Sequence, residues 1–279
     1  MLATVTLTLQ SHNGGALPQF PGRFLHAAVF SLISSIDEEA GNYWHDMSSI
    51  KPFTVMLDYN QPRRNHVIQE GDILFLRINV WHRDLWYILA ETSESMCVQI
   101  GPLQATIVNV HCEAPFGLPL REENILDLVQ HRLEAKPARK IEFEFFTPTM
   151  FNGTYGDITF PTADLIFASI VDKWNAGDVE DVLDKLRIKA LCERIILFDW
   201  KGQTKRVYFG RDRGYTGFVG KFVISFLSPY YYAPHLRCPS NTRLTCICAF
   251  ADAHSSGKVG TKAFTTALDY TIKKETMSS

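Results

Sequence analysis

The chain has 279 residues, of which 46% are hydrophobic and 12% aromatic, and its formal net charge at pH 7 is −2. This length is enough for one large domain or two of ordinary size with well-packed cores. The longest apolar runs are far shorter than the roughly 20 residues that span a bilayer, and the N-terminus lacks the basic and apolar segments of a secretory signal. We therefore expect a folded protein of the cytoplasm.

Cysteine and histidine spacing gives no sign of a metal site. The six cysteines include no CxxC pair, and the nine histidines show no ligand spacing such as HExxH. Free thiols in a reducing compartment are the simpler interpretation, and we expect neither a bound metal nor another cofactor.

The first half of the chain predicts the order strand, helix, strand, strand, helix, strand. Residues 2–10 alternate apolar residues with threonine, and residues 23–36 place apolar residues on one helical stripe. Asp37 is predicted to cap a shorter helix that opens with Glu38 and Glu39. Further strands are predicted at 53–59 and 71–81, a helix at 82–90, and a strand or strand pair within 98–112. This order is typical of a ferredoxin-like α+β domain, in which helices cover one face of an antiparallel sheet.

The second half predicts the same topology again. Its strands are predicted at 141–146, 192–200, 205–209 and 218–227, its helices at 161–176, before Gly177, and at 181–189, and a last strand pair within 245–271. The predicted domains are residues 1–118 and 141–279, joined by a linker at 119–140 that contains a helix at 121–133. No residue-level repeat relates the halves, so the tandem arrangement is predicted from pattern alone.

A histidine and a lysine stand together before the predicted strand at 53–59. His45 lies near the end of the second helix, Lys51 follows in a short turn, and Pro52 stops any helix. An imidazole can give or take a proton near neutral pH, and an ammonium can stabilise charge that develops on an oxygen. His26 borders the apolar stripe of the first helix, either as a boundary residue with a satisfied hydrogen bond or as a second group facing the same cleft.

Basic and aromatic residues are mixed between Lys201 and Lys221. Six basic residues stand against one acidic residue in this segment, and Tyr208, Phe209 and Tyr215 lie among them. Phosphates need cations and unpaired bases need flat partners, so the composition suits a single-stranded nucleic acid. A solvated hairpin accounts for the pattern equally well.

Five segments spread over nearly the whole chain carry a family resemblance. They are 22–27 with Phe30, 43–46 followed by 51–54, 160–162 with 166–167 and 173–175, the glycine-framed 216–221, and the glycine-rich 257–262 with 265–268. In this order they resemble the CRISPR-associated endoribonucleases of the RAMP superfamily that cut precursor guide RNA, the sixth of the Cas families. No single motif is highly specific.

The resemblance implies tandem ferredoxin-like domains that bind a CRISPR repeat and cut it once without a metal. The ribose 2′-hydroxyl attacks the adjacent 3′-phosphate, which leaves a 2′,3′-cyclic phosphate and a 5′-hydroxyl. His45 corresponds to the family's catalytic histidine, and Lys51 to the lysine that some members use beside it. Phe30 stands where some members place a tyrosine and cannot donate a hydrogen bond. Either His26 takes this third role, or a general acid with electrostatic support is sufficient.

For RNA binding, the resemblance and the charge pattern together single out Arg206, Arg211, Arg213, Lys221, Lys258, Gly260 and Lys262. Members usually close the C-terminal loop with a glycine, a hydrophobic residue and a glycine, whereas this chain has residues 267–269, and Asp269 repels a phosphate. Either the RNA contacts move forward to 258–262 or the loop serves packing. The implied partner is the CRISPR repeat RNA before and after cleavage. Other effector subunits and a second copy of the chain stay open, and no membrane partner is expected.

Two other interpretations remain. A non-cleaving guide-RNA-binding subunit of a CRISPR effector would have the same fold, since related RAMP proteins do that work. His45 with Lys51 favours the enzyme, whereas the mild acidity and the altered glycine loop favour the binder. An unrelated metabolic enzyme would need a nucleotide or metal motif, and the sequence has neither a GxGxxG after a strand nor a GKS or GKT loop.

Overall fold

The fold divides into two compact units. The computed structural model describes residues 1–18, 21–47, 50–59, 67–114, 117–122, 124, 126–127, 130, 140–153, 156–178, 182–208, 214–226 and 270–273. One unit extends from Met1 to Glu122, and the other contains the described residues from Asn124 to Lys273. Within these ranges, none of the helices combines the length and apolar character that crossing a membrane requires.

The first unit is built on an antiparallel sheet of five strands. The strands of the whole unit are β1 (Ala3–Ser11), β2 (Gly15–Ala16), β3 (Phe53–Tyr59), β4 (Val67–Ile68), β5 (Ile73–Val80), β6 (Cys97–Ile100) and β7 (Leu103–Glu113). Its helices are α1 (Gly22–Ile36), α2 (Glu38–Asp46) and α3 (Arg83–Ala90). The strand order is β3-β5-β1-β7-β6, while β2 pairs with β4 in a separate small sheet. Apart from the added edge strand β6, this is the order of a ferredoxin-like sheet, so the predicted architecture is confirmed.

The core of this unit follows from the two periodicities seen in the sequence. Val5, Leu7 and Leu9 alternate along β1 and are fully buried, and they share one core cluster with Leu25 and Val29 of α1. Burying each such side chain stabilises the fold by about 1.5–3 kcal/mol relative to leaving it exposed. The polar residues between them fall on the other face of the sheet because side chains alternate along a strand.

The second unit repeats the topology. Its elements are β8 (Lys140–Thr149), β9 (Phe151–Gly153), β10 (Gly156–Ile158), α4 (Ala163–Asn175), α5 (Lys185–Cys192), β11 (Ile195–Tyr208), β12 (Gly214–Phe226) and β13 (Tyr270–Lys273). The main sheet has the order β11-β12-β8-β13, with every neighbouring pair antiparallel. This matches β3-β5-β1-β7 of the first unit strand for strand, which confirms the tandem ferredoxin-like fold.

One prediction in this unit was wrong. The strands predicted at 192–200 and 205–209 are a single strand, β11, which pairs with β12 along its length. Gly202 lies opposite Gly220, and a Cβ at Gly202 would stand only 2.5 Å from the Val219 carbonyl oxygen. Glycine at this position therefore permits a close strand approach and does not end the strand. The linker helix predicted at 121–133 and the strand pair predicted within 245–271 fall largely outside the described residues.

Candidate active site

Helix α2 is fixed at its start and along its inner side. The Asp37 carboxylate accepts a hydrogen bond from the Ala40 amide at 2.9 Å, which is the predicted N-cap. A Cβ added to Gly41 would lie 2.1 Å from Ser34 Oγ of α1, so only glycine allows the two helices to approach this closely. Trp44 is 3% exposed and belongs to the core of the unit. These contacts determine where the last turn of α2 lies.

His45 occupies that last turn and faces solvent. Its side chain is 69% exposed, and its Nδ1 lies 3.0 Å from the Asp46 carboxylate. A carboxylate only accepts hydrogen bonds, so this contact favours the tautomer with the proton on Nδ1 and leaves Nε2 for a substrate. The ring also meets the edge of Phe30, with 5.5 Å between the ring centroids.

Lys51 lies beside the same helix end. Its ammonium donates hydrogen bonds to the main-chain oxygens of Trp44 at 2.7 Å, His45 at 2.9 Å, and Met47. Partial burial lowers the pKa of the Lys51 ammonium below its ordinary value, and the Asp46 carboxylate partly offsets this. Each of the three main-chain oxygens can only accept a hydrogen bond, so these contacts suit the protonated form of the side chain.

His26 is half-buried on α1. Its ring lies 5.0 Å from that of Phe53 and 6.5 Å from that of Phe30, centroid to centroid. Burial lowers the pKa of His26 to about 4, and the nearby Lys51 charge acts in the same direction. His26 is therefore a neutral imidazole at physiological pH, which can accept a proton but cannot serve as an imidazolium acid.

The three candidate catalytic residues meet around the ring of Phe30. The His45 ring is 5.5 Å away, the His26 ring 6.5 Å, and the Lys51 ammonium 5.7 Å from the Phe30 centroid. Two of the three side chains come from the neighbouring helices α1 and α2, and the third comes from the loop before β3, so the α1–α2 packing helps to set their spacing. The cluster offers a solvent-facing proton donor or acceptor, a neutral imidazole and a cation.

The candidate RNA-binding residues are only partly described. Arg206 is exposed on β11, and Lys221 of β12 forms an ion pair with Glu142 at 2.9 Å. The hydrogen bond that Lys221 donates to Glu142 and the Glu142 charge raise the pKa of Lys221, and the carboxylate offsets part of the positive charge of this lysine. The remaining candidates, Arg211, Arg213, Lys258, Gly260 and Lys262, lie outside the described residues.

Sequence reasoning missed two features. The first is Asp46 as the partner of His45, for which the adjacent position in the sequence was an available signal. The second is a set of exposed rings in the second unit, where Phe198 is 54%, Trp200 50% and Phe160 39% exposed. The Lys140 ammonium lies 3.4 Å from the Phe198 ring centroid, which places a cation against one of these rings. No sequence period indicated that these rings would be exposed.

An open cavity of ≈ 240 Å³ adjoins one of these rings, that of Phe160. Its lining includes Phe160, Asp164 at the start of α4, and Cys192 at the end of α5. Burial raises the pKa of the Cys192 thiol to about 12, with a further contribution from Asp164, so this thiol is inert as a nucleophile.

These features define a protein of two ferredoxin-like units with an exposed histidine at a helix end. Among solved structures, a Cas6 product complex matches with a TM-score of 0.66 and 22% identity, over 98% of this chain and 99% of that chain. Thermus thermophilus Cas6 matches with a TM-score of 0.61 and 20% identity, over 98% of both chains. The product of a Cas6-related gene from Pyrococcus furiosus matches with a TM-score of 0.55 and 12% identity, over 99% and 100%.

The chain therefore has the fold of the Cas6 proteins, and these matches cover 98–99% of its length. No protein-family model and no curated protein matches its sequence. At these identities the likeness establishes the fold.

Proposed function

We propose that this chain is a Cas6-type endoribonuclease that binds CRISPR precursor RNA and cuts it within each repeat to release guide RNAs. The cut needs no metal and leaves a 2′,3′-cyclic phosphate and a 5′-hydroxyl. One observation carries the proposal: a full-length likeness to Cas6 proteins, among them a product complex and a substrate-mimic complex, coincides with a solvent-facing imidazole at the position expected from the sequence.

His45 is the residue that accepts or donates a proton in this reaction. An attack of the 2′-hydroxyl on its own phosphodiester requires a proton acceptor for that hydroxyl and a proton donor for the departing 5′-oxygen. Nδ1 of His45 lies 3.0 Å from the Asp46 carboxylate, which keeps its proton there, so Nε2 is the nitrogen left for the substrate. His26 is neutral at physiological pH and half-buried, which suits it to shape the site beside Phe53 and limits it to the accepting role if it meets the ribose.

RNA binding is the second part of the proposal. Arg206 is exposed on β11 of the second unit, and exposed Trp200 lies on the same strand, so a cation and a flat ring are both presented to solvent. Such a combination binds phosphates and unpaired bases without a strict sequence requirement. The repeat RNA is the partner of this surface.

The test is a cleavage assay with purified protein and a labelled CRISPR repeat in EDTA. We expect one cut, with a cyclic phosphate on the upstream fragment. His45→Ala should lower the cleavage rate constant by about a hundredfold or more, while RNA affinity stays within about threefold, because a general acid or base contributes on that scale. His12→Ala, which removes an exposed histidine elsewhere in the same unit, is the matched control and should cut at the wild-type rate.

Three results would contradict the proposal. They are cleavage that requires a divalent cation, fragments without a cyclic phosphate, and a His45→Ala protein that cuts at full rate. Tight binding of the repeat with no cleavage by the wild-type chain would instead identify a non-cleaving guide-RNA-binding subunit.

A further inference from the structure

The side chain of Lys51 closes the end of α2. A helix leaves its last carbonyl groups without intrahelical partners. In α2 the Met47 amide donates to the Tyr43 carbonyl, and Lys51 reaches three of the four oxygens that follow along the chain. Its ammonium donates to Trp44 at 2.7 Å, to His45 at 2.9 Å, and to Met47.

This arrangement uses the full donor capacity of the side chain. An ammonium has three N–H groups, and each one is matched here by a main-chain oxygen. The positive charge also stands at the negative end of the helix dipole, where a cation is stabilising. A phosphate oxygen could bind Lys51 only by displacing one of these carbonyl groups.

The same contacts set the position of His45. Its own carbonyl is one of the three oxygens that Lys51 holds, and the other two belong to Trp44, the residue before it, and to Met47, the C-cap of the helix. The Lys51 ammonium also lies 5.7 Å from the centroid of Phe30, whose ring meets the His45 ring at 5.5 Å. Backbone and ring of His45 are thus tied to the same cation.

We propose that Lys51 is a positioning residue, which clamps the end of α2 so that His45 is held for the reaction, and that it does not bind the scissile phosphate itself. This inference rests on the proposed function for its link to cleavage. It differs from the role expected from the sequence, in which the ammonium stabilises charge on the phosphate.

The test compares two variants. Lys51→Met keeps the apolar stem and removes the charge. Lys51→Arg keeps the charge, but its planar guanidinium has no single nitrogen that can donate to all three oxygens. Lys189→Met, a lysine in the last turn of α5, is the matched control. In the free protein, we expect hydrogen exchange at the Met47 amide of Lys51→Met to be faster by about tenfold or more. The NMR signals of the His45 ring should lose the shift that the Phe30 ring induces.

With a saturating labelled repeat in EDTA, Lys51→Met should cut about ten- to a hundredfold more slowly with unchanged affinity, because a misplaced reactive group costs rate on this scale. Lys51→Arg should also be impaired although it keeps the charge. Replacing a non-bridging oxygen of the scissile phosphate by sulfur shows whether Lys51 contacts that phosphate directly. We expect the rate change on sulfur substitution to be the same in Lys51→Met as in the wild type.

Two kinds of result would overturn the inference. The clamp is wrong if Met47 exchange and the His45 signals are unchanged in Lys51→Met, or if they change while cleavage does not. The claim that Lys51 does not contact the phosphate is wrong if the rate change on sulfur substitution disappears in Lys51→Met, or if Lys51→Arg cuts at the full rate. If the wild-type chain cuts no repeat, the proposed function fails separately, and the exchange and NMR measurements on the free protein still decide whether Lys51 holds His45.

Discussion

Replacing His26 tests the electrostatics of the site without any RNA. His26 is half-buried beside Phe53 and Phe30, and burial lowers its pKa from 6.5 to about 4. Above about pH 6.5 the folded and unfolded states both carry a neutral imidazole, so the residue adds no pH dependence there. Between pH 6.5 and 4 the unfolded chain binds a proton that the folded chain does not. The free energy of unfolding therefore falls as the pH falls through this window.

The size of the effect follows from the two pKa values. The difference between pKa 6.5 and about 4 corresponds to about 3 kcal/mol of unfolding free energy, all of which is lost below about pH 4. At pH 4.5 about 2.5 kcal/mol of it is already lost. His26→Phe keeps a ring of similar size and removes the titrating group. Between pH 7 and pH 4.5 we expect the free energy of unfolding to fall by about 2.5 kcal/mol more in the wild type than in His26→Phe.

Denaturant unfolding of both proteins across this pH range measures the difference. His12→Gln, at an exposed position, is the matched control and should follow the wild-type curve. NMR titration of histidine ring signals, with the His26 signal identified by its absence from His26→Phe, gives the pKa directly. A His26 signal that titrates near pH 6.5, or equal losses in wild type and His26→Phe, would refute the burial argument.

Two further predictions concern the placement of α2 and the RNA surface. Gly41→Ala should lower the free energy of unfolding by about 1–3 kcal/mol, because its Cβ would stand 2.1 Å from Ser34 Oγ and force α1 and α2 apart. Asn42→Ala, at the exposed next position, is the control and should be nearly neutral in the same denaturant titration. Arg206→Gln should reduce the slope of log affinity against log salt by about 0.7, as expected for one lost phosphate contact to a single strand. Lys189→Gln should leave that slope unchanged, and an unchanged slope in Arg206→Gln would exclude the contact.

The fold could be predicted from the sequence where a local pattern determines the structure. The strand at 53–59 has the predicted limits, the N-cap at Asp37 is the predicted one, and the helix at 82–90 differs only by its cap residue, His82. Each has its signal within a few residues, as an apolar period, a capping residue or a proline stop. The continuity of β11 was missed, since it depends on how closely a neighbouring strand approaches Gly202.

The candidate site shows a similar division between what spacing indicates and what packing decides. Spacing correctly brought His45 and Lys51 to one helix end, because Pro52 ends the helix and the turn is short. It could not assign the partners of a long, flexible lysine side chain, whose head group is able to reach either a substrate or the protein's own backbone. In the folded chain the ammonium donates to three carbonyl groups at the end of α2, which offer as many acceptors as it has donors. The inferred role of Lys51 changed for this reason, although its predicted location beside His45 did not.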